Sequence, residues 1–222
     1  MINNILEFNE VWKTYGDDEI KITALNGINL ELKKNSLNLI LGPSGSGKTT
    51  ILNLASLLDS PTNGEIIING QDTSKLSKSE RAKIRRNRIG IVYQRANLFP
   101  YLNILENIML PMISKDINNA SKTLNKVGIV ETSKFPDEIS IEKQQRAALA
   151  RAVINDPHLI IADEPTGELD KKSTEAVMDL IINMKNKHTI LMLSNNDDLK
   201  EYCDELFLIK DGYLQKNMTK KS

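Results

Sequence analysis

The chain has 222 residues, 40% of them hydrophobic and 26% charged, a composition that excludes a disordered chain and suits one domain with a substantial core. Twenty-nine basic residues balance 29 acidic ones, leaving no global field to draw the chain to anionic lipid or nucleic acid, so no nucleic-acid partner is expected. No apolar run approaches the roughly 20 residues needed to cross a bilayer, and the single Cys203 has no disulfide partner in the chain and reads as a small buried hydrophobe.

The opening stretch, MINNILEFNEV, has neither a basic start nor a continuous apolar run, so no secretory signal is read there and a cytoplasmic protein is expected. Alternation in ILEFNEV, and in TALNGINLEL with Leu25, Ile28, Leu30 and Leu32, predicts half-buried strands; GEIIING, between Gly64 and Gly70, predicts a third in a small antiparallel layer. The short apolar runs at 37–41, 89–94, 158–163, 188–194 and 205–210 have the pattern of buried strands. TTILNLASLL follows the first of them as a helix, and KKSTEAVMDLIINMKNK sets Ala176, Val177, Leu180, Ile181 and Met184 along one helical face. Strand, helix and strand in succession predict an α/β core. Between about 101 and 155 there is no strand signal, and NILENIMLPMI and INNASKTLNKVGI predict a helical insert within a single domain spanning 1–222. The tail LQKNMTKKS is polar and expected to fray.

Chemistry enters at GPSGSGKTT. Gly42, Gly47, Lys48 and Thr49 stand in G-x4-G-K-S/T register, between an apolar strand and a helix. In such a loop, residues Gly42, Pro43, Ser44, Gly45, Ser46 and Gly47 turn backbone N–H groups onto phosphates. The helix N-terminus at Lys48, Thr49 and Thr50 adds positive potential, Lys48 reaches the outer phosphates, and the Thr49 hydroxyl is placed to ligate Mg2+. HLIIADEP is the complement, an apolar strand that ends on a carboxylate. Asp163 is expected to hold Mg2+ through water and Glu164 to orient or activate the attacking water, so a nucleotide and Mg2+ are the expected ligands.

Taken together, GPSGSGKTT, IGIVYQRANLFPYLNILENIMLP, QQRAALARAVINDPHLIIADEPTGELD and TILMLS resemble the ATP-binding-cassette (ABC) ATPases, and more narrowly the group serving lipoprotein-release, macrolide-export and related permeases. The resemblance covers nearly the whole chain. It implies a P-loop NTPase core with a mixed, largely parallel sheet, an antiparallel β subdomain and a helical subdomain. It also implies a second cassette as partner, in a homodimer or heterodimer closed head to tail over ATP, and a separate membrane permease that holds the pair at the inner face of the cell membrane. By the same resemblance, Tyr15 in VWKTYG matches the aromatic that stacks on adenine. Gln94, ending IGIVYQ, matches the glutamine that senses Mg2+, and Asp170 in GELD matches the loop aspartate that communicates between the two sites; it also reads as the cap of the following helix.

Two departures fall at the dimer-facing surface. Aligning QQR sets the family's L-S-G-G-Q signature on Ile139, Ser140, Ile141, Glu142 and Lys143, of which only the serine survives. Ser140 still reads as an N-cap, and Glu142 suits the first turn of a helix. Glu142 also occupies the positive end that the partner's γ-phosphate would use. At ~5 Å and an effective dielectric of ~20, two like charges cost about 3 kcal/mol, which Lys143 is expected to offset in part. At the end of HTILMLS the family places a histidine that bridges γ-phosphate and catalytic glutamate; here Asn195 stands there, able to donate a hydrogen bond but not to carry a proton at neutral pH. His158 and His188 lie at the opposite ends of their strands and read as structural. A smaller departure is Ala96, where an aromatic is expected beside the permease groove.

These features leave two readings: an energising transporter subunit with slow hydrolysis, catalysed through Glu164, Gln94 and Asn195, or a regulatory or sensing cassette that binds ATP but turns over little, either as a homodimer or beside a complete cassette. Cassettes of translation or DNA repair fit poorly, since the chain has neither a second cassette nor a long coiled coil.

Overall fold

The computed structural model describes residues 4–16 and 20–217. Met1, at the start of the segment read for a signal, and the end of the polar tail, 218–222, lie outside the described residues.

Strands β1 (Asn4–Tyr15) and β2 (Ile22–Lys33) pair antiparallel, and β4 (Asn63–Ile68) pairs antiparallel with β1. With the two-residue β5 (Gln71–Asp72) they form a sheet of order β2-β1-β4-β5, the antiparallel layer expected from the alternating pattern. A second sheet, of order β10-β9-β3-β8-β7-β6, is parallel from β9 to β6, through β3 (Leu37–Leu41), β8 (Thr189–Ser194), β7 (Leu159–Asp163) and β6 (Ile89–Val92). Its strands read as continuous apolar runs because layers cover both faces; every residue of β3 and of β8 is buried. Only β10 (Tyr213–Asn217) runs antiparallel, against β9 (Glu205–Lys210). The expected frayed tail is therefore strand as far as Asn217, because a polar edge strand is held by ladder hydrogen bonds that leave little trace in hydropathy.

Helix α1 (Lys48–Ala55) follows β3, and α6 (Lys171–Met184) links β7 to β8 as a parallel crossover must. The buried face of α6 carries Val177, Met178 and Ile181, so Met178 replaces Ala176 in the predicted stripe. Helix α2 (Lys78–Arg88), which sequence periodicity missed, buries no residue; a reciprocal capping box between Ser77 and Glu80 starts it.

In the middle of the chain α3 (Ile104–Met109), α4 (Ile117–Lys126) and α5 (Ile141–Val153) surround a separate apolar cluster of Ile104, Ile108, Leu124, Ile129 and Ala147. The end of α5 instead packs on the parallel sheet through Ala148, Leu149 and Ala152. Helix α5 thus belongs to both packings, and Gln145 ties it to the end of β6 by donating to Tyr93 O at 3.0 Å. Cys203 is buried. His188 is buried with Nδ1 2.6 Å from Pro157 O, the structural role expected, whereas His158 is exposed at the same end of the sheet.

Candidate nucleotide site

Four adjacent parallel strands deliver the predicted residues to one edge. Because β3, β8, β7 and β6 lie side by side in the same direction, their carboxyl ends meet, and ligands of open α/β sheets bind there. The phosphate loop leaves β3, Ser194 and Asn195 end β8, Asp163 and Glu164 end β7, and Gln94 follows β6. Backbone hydrogen bonds fasten these ends together: Gly42 N donates to Ser194 O at 3.2 Å and Glu164 N to Leu193 O at 2.8 Å.

The loop's shape depends on two glycines. A Cβ on Gly42 would stand 2.4 Å from Ile209 O and 2.7 Å from Ser46 Oγ. Gly47 has φ +110°, and a Cβ there would meet Ala24 O at 2.9 Å. Lys48 is almost fully buried, and its ammonium donates to Gly42 O at 2.7 Å and Pro43 O at 3.0 Å, so the loop's own carbonyls satisfy the cation. Ser46 Oγ is buried without a hydrogen-bond partner.

Beside this loop lies a cavity of about 410 Å3. Ser44, Gly45, Gly47, Lys48, Thr49 and Thr50 line it from the loop side, and Gln94, Asp163, Glu164 and Asn195 from the neighbouring strands. Burial raises the Asp163 carboxyl above its ordinary value, the charge of Glu164 adds to the rise, and Lys48 works against it. Glu164 takes a left-handed backbone, φ 45°, and Ser194 Oγ donates to its Oε2 at 2.7 Å. That serine was not singled out from the sequence. Its contact joins the ends of adjacent strands and depends on register, which no local pattern reports. Glu164 and Asn195 also border a second cavity, of about 930 Å3, next to the first.

Of the predicted residues, Gly42, Pro43 and Ser46 lie in the loop behind the wall of the smaller cavity, and three outside the loop stand off it altogether. Tyr15 is partly exposed; its hydroxyl donates to Asp59 Oδ2 at 3.2 Å, and Lys13 Nζ lies 4.8 Å from its ring centre. Asp170 caps α6, accepting from Ser173 N at 2.8 Å. Ser140 caps α5, accepting from Lys143 N at 3.3 Å.

The start of α5 corrects one electrostatic expectation. Lys143 pairs with Glu131 rather than lying free to offset Glu142. The offset comes from Arg146, one turn on, whose guanidinium lies 2.6 Å from Glu142 Oε1. Ser173 Oγ is 3.5 Å from the other oxygen of Glu142. Ile141 is 56% exposed, so an apolar side chain stands out where a bare backbone was the family expectation.

A glycine-shaped loop carrying a buried lysine, facing two carboxylates across a cavity at the carboxyl edge of a parallel sheet, defines a P-loop nucleoside triphosphatase. Residues 25–167 match the family described as ABC transporter, and the chain belongs to that family as an ATP-binding subunit, a cassette ATPase. An ABC transporter ATP-binding protein of Methanocaldococcus jannaschii is 40% identical over 94% of this chain and 96% of its own. The lipoprotein-releasing system ATP-binding protein LolD 1 of Rhodopseudomonas palustris is 37% identical, with 94% and 97% covered. The bacitracin export ATP-binding protein BceA of Halalkalibacterium halodurans is 38% identical, with 97% and 89% covered. Among solved structures, the dimeric cassette MJ0796 in a post-hydrolysis state with ADP and Pi superposes with a TM-score of 0.86 at 35% identity, covering 95% of this chain and 98% of that one. The fold is that of an ABC cassette: a P-loop core with a mixed sheet, an antiparallel sheet and helices.

Proposed function

We propose that this cassette binds Mg-ATP at the cavity beside Lys48, closes on a second cassette in a homodimer or heterodimer, and couples slow hydrolysis to a separate membrane permease. The observation that supports this reading is the meeting of Lys48, Thr49, Gln94, Asp163 and Glu164 around one cavity. Among the described residues no helix is long and apolar enough to cross a membrane, so the permease would hold the pair at the inner face of the membrane. The unit that does this is the whole chain, 1–222, with residues 101–155 as the helical subdomain that reaches the partner and the permease.

The residues fit the ligand. The backbone of Gly42 to Gly47 and the start of α1 would cradle the phosphates, in a loop whose turn leaves no room for side chains at Gly42 and Gly47. The unpartnered Ser46 Oγ is buried within the same loop. Lys48 would exchange its two loop carbonyls for phosphate oxygens, and Tyr15 would turn to the adenine. Thr49, Gln94 and Asp163 offer an all-oxygen set of the kind a hard divalent cation takes, and the Mg2+ held there would neutralise charge on the phosphates. Glu164 would accept a proton from the water whose oxygen attacks the γ-phosphorus, as the bond to the β-phosphate oxygen breaks and ADP leaves with the bonding electrons. Asn195 would donate a hydrogen bond to the γ-phosphate without taking a proton. Ser140 and the first turn of α5 would face the partner's ATP, with Asp170 beside them.

A second reading, a cassette that senses ATP and turns over little, is favoured by the start of α5. Ile141 stands exposed there, and Glu142 is folded onto Arg146. One assay separates the two. Phosphate release at saturating Mg-ATP is measured for the parent chain, for Lys48→Ala as the blank, and for the triple variant Ile141→Gly, Glu142→Gly, Asn195→His. A parent above the blank supports the transport ATPase; a parent at the blank with an active triple variant supports the sensing cassette.

A further inference from the structure

Ser194 is the last residue of β8 and is 1% exposed. Its hydroxyl makes two hydrogen bonds of fixed sense. The N–H of Asn196 is a donor only and reaches Ser194 Oγ at 3.1 Å, so the hydroxyl accepts there. Its single proton is then committed to Glu164 Oε2, 2.7 Å away. Among the described residues no other side chain donates to that carboxylate; Asn195, the neighbour in sequence, is exposed and makes no such bond.

The backbone of Glu164 is already fixed. Its N–H donates to Leu193 O, its carbonyl accepts from Gly167 N at 3.0 Å, and its φ of 45° is one that non-glycine residues adopt only when held. What remains free is the rotation of the carboxylate about its own side-chain bonds. Ser194 removes that freedom by anchoring one oxygen, which leaves Oε1 as the oxygen without a side-chain donor among the described residues. Hydrogen bonds to a charged acceptor are about twice as strong as neutral ones, so a buried hydroxyl is well suited to the task.

We propose that Ser194 is a positioning residue: by donating to Oε2 of Glu164 it aims Oε1 at the attacking water and so sets the rate of the chemical step. This rests on the reading of Glu164 as the residue that takes that water's proton. Ser194 is not proposed to touch ATP.

The test uses the full chain and the variants Ser194→Ala, Ser194→Thr and Ser194→Cys, with two readouts. In steady-state hydrolysis, Ser194→Ala is expected to lower kcat on the order of 10- to 100-fold with KM for ATP within about twofold, and Ser194→Thr, which keeps the hydroxyl, to recover most of the loss. In protein labelled with 13C at the glutamate carboxyl carbon, the Glu164 resonance, assigned by its loss in Glu164→Gln, is expected to move in Ser194→Ala and stay in Ser194→Thr. Should the alanine variant fail to fold, Ser194→Cys, a close isostere with a weak donor, takes its place in both readouts. Unchanged kcat beside an active parent, or a loss that threonine does not recover, overturns the proposal. So does a Glu164 resonance indifferent to the hydroxyl. Should the parent itself not exceed Lys48→Ala, the hydrolytic reading of Glu164 falls, and the carboxyl resonance alone decides whether Ser194 holds that side chain.

Discussion

Lys48 and Asp163 show how single residues are held in wait for a ligand. The Lys48 ammonium is buried against two loop carbonyls, so in the proposed site binding ATP would trade two neutral acceptors for charged ones, and Lys48→Ala is expected to weaken ATP binding at least about tenfold in a fluorescent-nucleotide titration. Asp163 is the opposite case. Burial raises its carboxyl above the ordinary 3.8, with Glu164 adding to the rise and Lys48 opposing it. A carboxyl raised in the folded state gives a contribution to stability that is complete below the unfolded value and is lost as pH rises through the folded one. Asp163→Asn is therefore expected to raise the Tm of the nucleotide-free protein at pH 7. The advantage should shrink as pH falls toward 3.8, while the gain in Tm on adding Mg-ATP is lost. Calorimetry across that pH range, with and without Mg-ATP, checks both signs. A variant no more stable than the parent at pH 7 would mean that ionised Asp163 carries no burial cost.

Helix α5 carries the departures from the family pattern, and its stability explains why it keeps its shape despite them. Ser140 caps it and Arg146 pairs with Glu142 one turn on. Ser140→Ala is expected to cost about 1 kcal/mol in urea unfolding, the usual worth of such a cap. Glu142→Gln is expected to cost less, about 0.3–0.5 kcal/mol, since the pair is partly exposed. The caps at Ser140 and Asp170 were legible because a capping residue before a helical run is a local signal. So were the five parallel strands, each an apolar run bounded by polar residues, although β9 is buried on one face only. Helix α2 was not, because KSERAKIRRNR has no apolar face for a periodicity to reveal. Nor was the Glu142–Arg146 pair: its i,i+4 spacing stood in the sequence, but Lys143, adjacent to the glutamate, points elsewhere on the helix and finds Glu131. Ser194 lay beyond any local pattern for a related reason, since its partner is 30 residues away, just past the end of the adjacent strand β7.

At the scale of the whole molecule, the phosphate loop and the start of α5 are two halves of different quality. The loop side has its glycines and its buried lysine, with both carboxylates lining the same cavity. The α5 side presents an exposed isoleucine and a glutamate whose charge is already answered within the chain. Closure of two identical copies would press each Ile141 and Glu142 toward the other's ATP. Arg146 reduces the like-charge cost, estimated at about 3 kcal/mol for an unpaired carboxylate, without removing the side chains that keep the backbone away. The expected result is a parent that stays monomeric in Mg-ATP when turnover is blocked by Glu164→Gln, and that dimerises once Ile141→Gly and Glu142→Gly are added. Those glycines carry a helix cost of about 1 kcal/mol each, so the variant should be less stable as a monomer yet associate more strongly in nucleotide. Analytical ultracentrifugation at micromolar protein, with and without Mg-ATP, reads both states. Dimerisation of Glu164→Gln alone would show that the altered start of α5 closes over ATP as it is, and the homodimer would then need no different partner.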